Sequence, residues 1–283
     1  MSVVVAALIV LLALVEGVNA IVAPARAPSE RDWVAAAAEV RKGFRPGDLI
    51  VASPAWADPL MRVQLGDLVP VSVAGRMDAA RYGRIWEISQ RGARAADTAG
   101  AKGAESSRHG ALTVKRWEKQ PATVTFDFLT EWRRASVSVV NADGTEVPCA
   151  LGPHRWQCVR GVSLGPELLE IDATLRNGLG VEPVEGLTLV LEYENVPLAD
   201  ELVVATGLHN VWLRKSGDGK VKMRVLLAGH ETGTLEATSA SGWSLRRFDT
   251  SPILKTSVSC RFEITVDKAH ARHFGFAAEA RNP

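Results

Sequence analysis

The chain has 283 residues, 47% of them hydrophobic and 23% charged, with a formal net charge of +1. That balance excludes a disordered chain, which has too little apolar surface to build a core. It also leaves no global field, and no basic block, with which to hold a nucleic acid. The length allows two domains of ordinary size.

Residues 3–15, VVVAALIVLLALV, are uncharged and apolar. They match the core of a secretory signal, and Val18, Asn19 and Ala20 put small residues where a signal peptidase reads. Counted from Val3 to Ala23 the segment reaches twenty-one residues, the length of a membrane-crossing helix. Glu16 and Asn19 then fall in its last third, where a carboxylate costs less than at the centre. No Lys or Arg precedes the run, which favours a retained anchor over a cleaved signal. A helix buried in a very large core is the third alternative. The expectation is a membrane contact through residues 3–23.

Arg26, Arg31, Arg41 and Lys42 follow, and the positive-inside bias would keep the body cytoplasmic. The cysteines point the other way. Cys149 and Cys158 are nine apart and bracket a Gly152-Pro153 turn, so a disulfide can join them in an oxidising compartment. Two buried free thiols in neighbouring strands are the alternative, and Cys260 reads as core. The expected location is the cell envelope, membrane-anchored and extracytoplasmic, or secreted after signal cleavage.

Residues 23–31 hold two prolines and mixed charges and read as a linker. Ser29 can cap a helix from Glu30, with Asp32 favouring its N-terminal end. Trp33, Ala36, Ala37 and Val40 fall on one face of it. Phe44-Arg45-Pro46-Gly47 ends the helix, and residues 48–54 read as a buried strand of a parallel sheet. Helix over 56–65, strand over 69–74, a short helix at 78–81 and strand over 84–89 continue an α/β pattern. Residues 92–109 carry almost no large apolar side chain and read as a loop. A strand over 111–119 closes this half.

Asp32-Trp33, Pro46-Gly47-Asp48-Leu49-Ile50-Val51, Trp56 and Arg84-Ile85-Trp86 carry a resemblance. Over residues 20–118 the chain resembles the extracytoplasmic tail of dolichyl-phosphate-mannose–protein mannosyltransferase-like membrane glycosyltransferases. There a similar helix, Pro-Gly-Asp turn and buried strand follow the last membrane span. The catalytic acids of that family lie in a loop between membrane helices, and this chain offers no such position. The resemblance implies an accessory tail without the transferase machinery.

From residue 122 the pattern changes to short alternating runs, at 124–129, 135–140, 187–193, 201–206, 209–214, 220–227, 233–238, 243–248, 256–266 and 274–280. Asn141-Ala142-Asp143-Gly144 and Ser216-Gly217-Asp218-Gly219 are turn signals. Ten or so strands without helical periodicity predict a β-sandwich. The pieces 203–210 (VVATGLHN), 225–229 (VLLAG), 242–250 (GWSLRRFDT) and 272–276 (RHFGF) make residues 122–281 resemble a galactose-binding-like jelly-roll. That fold hosts sugar binders and structural modules alike, so it assigns no ligand residue. The expected fold is α+β in two domains: an N-terminal membrane helix (1–23), a small α/β, Rossmann-like domain (24–119) and a C-terminal antiparallel, jelly-roll-like β-sandwich (120–283).

Enzyme templates fail. There is no G-x-S-x-G, H-E-x-x-H, P-loop or G-x-G-x-x-G, and Gly178-Leu179-Gly180 lacks the third glycine. His270 and His273 would point to opposite faces of a strand, so no metal and no cofactor are expected. Eight Trp against two Tyr is the compositional oddity. Trp212 and Trp243 could stack on sugar rings, with His209, Asn210, Arg214, Arg246 and Asp249 bonding hydroxyls. The alternative is that both tryptophans pack between sheets. The functional expectation is an envelope accessory or binding module whose partner is a glycan or an envelope protein. A glycosyl-processing enzyme with a site between the domains and a structural envelope protein without a ligand are the alternatives.

Overall fold

A computed structural model describes residues 2–25, 27–209, 220–238, 240–253, 257–268 and 273–283. The chain divides into two compact units, one made of the residues up to Pro70 with Tyr82–Lys119, the other of Val71–Arg81 with Gln120–Pro283.

The first unit holds α1 (Ser2–Ala25), α2 (Glu30–Gly43), β1 (Leu49–Ser53), α3 (Asp58–Leu65), β2 (Arg84–Gln90), β3 (Lys102–His109) and β4 (Leu112–Glu118). Ser29 and Asp32 form a reciprocal capping box at the start of α2, which satisfies two otherwise orphaned amides. Trp33, Ala36, Ala37 and Val40 are its buried face. The Asp48 carboxylate, itself buried, accepts from the Trp86 indole at 2.9 Å and from the Arg45 amide at 3.0 Å, which fixes the turn into β1.

Two expectations about this half are corrected. The sheet order is β1-β2-β4-β3, and only β1 and β2 are parallel. The pairs β2–β4 and β3–β4 are antiparallel. A Rossmann-like domain needs repeated parallel crossovers, whereas here one crossover leads into a meander. The second correction concerns the membrane helix. Among the described residues no helix is long and apolar enough to cross a membrane. The unbroken apolar run of residues 3–15 reaches only about 20 Å at 1.5 Å per residue, short of the roughly 30 Å of a hydrocarbon core. Glu16, Gly17 and Asn19 break its apolar character beyond Val15. The expected membrane-crossing helix over residues 1–23 is therefore not observed, and the membrane contact through residues 3–23 is not shown.

Smaller differences have local causes. Residues 102–109, expected as a loop, form β3, an exposed edge strand with no apolar face to announce it. Pairing with β4 creates it, and Glu39 of α2 bonds Ser107 and His109 to hold it down. Residues 69–74, expected as a strand, contain instead the short helix α4 (Val71–Ala74).

The second unit contains α4 and the strands β5 (Thr123–Asp127), β6 (Ser136–Asn141), β7 (Glu146–Pro148), β8 (Ala150–Leu151), β9 (Trp156–Gln157), β10 (Ser163–Ile171) and β11 (Thr174–Val181). They are followed by β12 (Leu187–Val196), β13 (Glu201–Leu208), β14 (Val221–Leu227), β15 (His230–Ala237), β16 (Ser244–Asp249), β17 (Val258–Val266) and β18 (Phe274–Asn282). One antiparallel sheet has the order β16-β13-β18-β11-β10-β9-β8, with β5 also on β18; the other is β15-β14-β17-β12-β6-β7. From β12 to β18 the chain passes back and forth between the sheets, the winding of a jelly-roll. Inward side chains of both sheets form one core, in which Phe126, Phe128, Tyr193 and Phe262 meet edge to face at 4.8–6.4 Å. Burying each such ring contributes about 1.5–3 kcal/mol. Cys260 belongs to this core, and burial pushes its thiol well above the usual range.

The turn at Asn141–Gly144 forms as expected, with Gly144 at positive φ. A tighter one, at Asp172 and Ala173 with φ of 51° and 55°, joins β10 to β11. Cys149 and Cys158 are disulfide-bonded, tying the end of β7 in one sheet to the end of β9 in the other.

The outer face of the first sheet is partly covered by residues 71–81. Met77 packs on Val203, Ala205 and Ala277, with Trp243 and Leu245 alongside. Asp78 accepts two bonds from Arg281, at 3.0 and 2.8 Å, and Arg281 also donates to Glu201 at 2.8 Å. Arg81 pairs with Asp127 at 2.6 Å and Glu279 at 2.9 Å. The Arg281 side chain has 0% exposure. Burial pushes the Asp78 carboxyl up, but the Arg281 hydrogen bonds, the Ala80 amide and the charges of Arg281 and Arg247 together outweigh it and hold the group below its ordinary range. Replacing Arg281 by Met leaves Asp78, Glu201 and Glu279 facing one another without their main counter-charge. The expected loss is about 3–5 kcal/mol, the range for breaking a buried pair. Urea denaturation of the variant checks this, and an unchanged midpoint would show that the network is not needed.

Candidate functional site

A cleft of about 570 Å³ opens on the sandwich unit, lined by Glu167, Leu168, Leu169, Glu170, Glu182, His209 and His273. Four strands place these residues. Glu167 to Glu170 lie along β10, and Glu182 follows the last residue of β11. His209 follows the end of β13 and His273 precedes the start of β18. Leu208 and Phe274 are register partners, so the two histidines stand side by side on the outer face, their rings 6.4 Å apart and perpendicular. The His209 amide donates to the His273 carbonyl at 2.8 Å.

Glycine makes the β10 wall possible. Leu169 of β10 lies over Gly275 of β18, where a Cβ would overlap Leu169 Cδ1. On β11, a Cβ at Gly178 would come within 2.8 Å of the Phe276 carbonyl oxygen. Larger residues at either position would push β10 and β11 away from β18.

Polar contacts fix the cleft's chemistry. His273 Nε2 lies 2.5 Å from Glu167 Oε2, and Nδ1 lies 3.8 Å from Glu182 Oε1. Arg155 pairs with the other oxygen of Glu167 and donates to Ser163 at 3.2 Å. Burial holds the His273 imidazole below its ordinary value; Glu182 opposes this and the charge of Arg155 adds to it. A neutral imidazole donates from one nitrogen and accepts at the other. The two carboxylates approach opposite ring nitrogens and do not converge on a common point. Among the described residues no group of three His, Cys, Asp or Glu could hold a metal ion.

Of the residues singled out from the sequence, His209 lines the cleft. Asn210, Trp212 and Arg214 lie outside the described residues. Trp243 is half-buried; its indole donates to the Thr174 carbonyl at 3.0 Å, the Arg176 guanidinium lies 5.4 Å from the ring, and the ring covers Gly207 and Gly275. It packs beside Leu169, behind the cleft. Arg246 points the other way, donating to the Thr234 carbonyl at 3.0 Å over the Phe248 ring. Asp249 accepts from the Ser251 hydroxyl and amide, bonds that lower its pKa. The structure thus gathers His209 with Glu167, Glu170, Glu182 and His273, which sequence reasoning missed. Only strand register brings them together; the placement of His273 next to the core residue Phe274, at the mouth of a strand, was the one available signal.

No family model and no curated protein matches the chain, so the mannosyltransferase resemblance is not shown. Several solved structures are similar to it. One is CBM51 from Clostridium perfringens GH95 in complex with methyl-galactose, at 11% identity over 51% of this chain and 79% of that one, TM-score 0.28. Another holds CBM51-2 in complex with GlcNAc and INT domains from Clostridium perfringens ZmpB, at 16% identity over 52% of this chain and 37% of that one, TM-score 0.32. A third is TmCBM61 in complex with beta-1,4-galactotriose, at 11% identity over 38% of this chain and 68% of that one, TM-score 0.24. Likeness this distant assigns neither ligand nor site to this chain; the sandwich architecture rests on its own strand pairing.

Proposed function

We propose that the sandwich unit is a glycan-binding module that works outside the cytoplasm. The observation that carries the reading is the cleft itself. Its volume, about 570 Å³, lies within the roughly 300–1,000 Å³ of small-molecule sites. Carboxylates of Glu167, Glu170 and Glu182 accept from sugar hydroxyls, and the imidazoles of His209 and His273 donate or accept. Leu168, exposed on β10, offers an apolar surface to the C–H face of a ring. The Glu167 carboxylate is already engaged by Arg155 and His273, which suits a fixed acceptor better than a base that must take up a proton. The Cys149–Cys158 disulfide supports an oxidising compartment.

On a glycan array, the full chain is expected to bind, and Glu167→Gln or His273→Phe to weaken binding about tenfold or more. A hydrogen bond to a charged group contributes about 1.5–3 kcal/mol, and 1.4 kcal/mol is about tenfold. Circular dichroism of the variants separates lost contacts from lost fold. Absence of binding to every glycan on the array would reject the proposal.

His273 also sets a pH dependence. Its folded value lies below the ordinary 6.5, so the unfolded chain takes up the proton first. This group's contribution is complete above 6.5 and is lost as pH falls through the interval below it. Unfolding midpoints should therefore decline on acidification more steeply in the wild type than in His273→Phe, and parallel curves would contradict the assignment. Thiol trapping in producing cells should find Cys149 and Cys158 oxidised; their persistence as free thiols would contradict the compartment.

A further inference from the structure

We infer that Arg155 is the positioning residue of the cleft and that the Cys149–Cys158 disulfide holds Arg155 in place, an inference that rests on the glycan-binding reading. Ser163, Gly165 and Glu167 follow one another on the outer face of β10, opposite to the core residue Leu164. The Arg155 side chain spans all three. It donates to the Ser163 hydroxyl at 3.2 Å and pairs with Glu167 Oε1, and a Cβ on Gly165 would stand only 2.6 Å from its Cγ. Gly180 of β11 is the register partner of Gly165, and a Cβ there would overlap the Glu167 carboxylate. Two adjoining glycines thus clear the strip of sheet on which the ion pair lies. With Oε1 engaged by Arg155, Glu167 turns Oε2 to His273 Nε2 at 2.5 Å. Glu167 and His273 line the cleft, and Arg155 acts through them.

Arg155 is carried by a very short hairpin. β8 and β9 have two residues each, and a two-stranded hairpin of that size does not hold itself together in water. Its turn closes where the Gly152 amide donates to the Arg155 carbonyl at 2.8 Å. The ladder that follows consists of Leu151 opposite Trp156 and Ala150 opposite Gln157, and the disulfide joins the next residue of each strand. A covalent bond therefore closes the open end of the hairpin that presents Arg155. Trp156, inside the core, anchors the same hairpin on Leu164 of β10.

The protonation site of His273 tests the assignment without any ligand. A neutral imidazole keeps its proton on the nitrogen whose partner accepts, and a carboxylate only accepts. Glu182 Oε1, 3.8 Å from Nδ1, is too far to accept directly. Nitrogen NMR of the full chain at neutral pH, where burial favours the uncharged ring, is expected to find the proton on Nε2. Arg155→Gln frees Glu167 to rotate, so the two tautomers should mix. Signals on the glycan array should then weaken about tenfold, the effect of losing one charged hydrogen bond. Arg155→Lys keeps the charge, but a single ammonium cannot span Ser163 and Glu167 as the planar fork does, and both properties should recover only in part. The Cys149→Ser, Cys158→Ser double variant should reproduce the Arg155→Gln spectrum, with thermal melts confirming that each variant is folded. A wild-type proton on Nδ1, or a tautomer unchanged in Arg155→Gln, would overturn the inference. An unchanged tautomer in the cysteine variant, or its failure to fold, would overturn the part given to the disulfide. Absence of glycan binding alongside the expected tautomers would reject the glycan reading and leave the positioning of Glu167 standing.

Discussion

A guanidinium with no access to water organises the sandwich unit. Arg281 sits near the end of β18, and Asp78, Glu201 and Glu279 surround it. An ion of that kind is tolerated in a protein interior only when opposite charge and hydrogen bonds replace the lost hydration. The replacement comes partly from β13 and partly from residues 71–81, about two hundred positions earlier in the chain. The demand of one buried charge therefore fixes where a distant segment must lie, and Met77 follows onto the outer face of the sheet. The network is not electrically even. Arg81, Arg247 and Arg281 face Asp78, Asp127, Glu201 and Glu279, and Glu279 is the carboxyl whose pKa burial raises, with Arg81 and Arg281 opposing.

That covered face and the open cleft belong to the same sheet. At the covered end, Glu201, Val203 and Ala205 of β13 and Ala277, Glu279 and Arg281 of β18 meet residues 71–81 or the charges they bring. At the other end the side chains shrink to Gly207 and Gly275, over which Ile171 and Leu169 of β10 descend. The cleft begins where this close packing stops, at the histidines flanking the two strands. Its polarity is a consequence of position. Strand ends lie outside the hydrophobic core, so Glu182, His209 and His273 can remain hydrated while Val181, Leu208 and Phe274, one residue inward, are fully buried.

Much of the architecture was legible in the residues. Period-two runs announced most strands of the sandwich, because each buries one face and wets the other. The capping box at Ser29 and the apolar stripe of Trp33, Ala36, Ala37 and Val40 marked α2 for the equivalent reason in a helix. The errors have a common cause. β3 carries no apolar alternation, since an edge strand exposed on both sides buries too little to require one. The mixed order of the small sheet, and hence the failure of the Rossmann-like expectation, depends on which strand pairs with which, and local pattern does not encode partners. The twenty-one residues from Val3 to Ala23 suggested a membrane helix, but among the described residues no helix is long and apolar enough to cross.

By itself the sequence determined the β-sandwich class of the second half, the two-cysteine bracket and the burial of Cys260, all of which come from composition and short-range periodicity. It did not determine the cleft. Glu167, Glu182, His209 and His273 are spread over more than a hundred positions, and nothing local distinguishes them from other polar residues at strand ends. The tryptophans drew attention because their chemistry is conspicuous, yet Trp243 spends its ring covering glycines and its N–H on a carbonyl. Tertiary structure decided the site because strand register, a property of pairing between distant segments, is what sets four separate chain positions around one cavity.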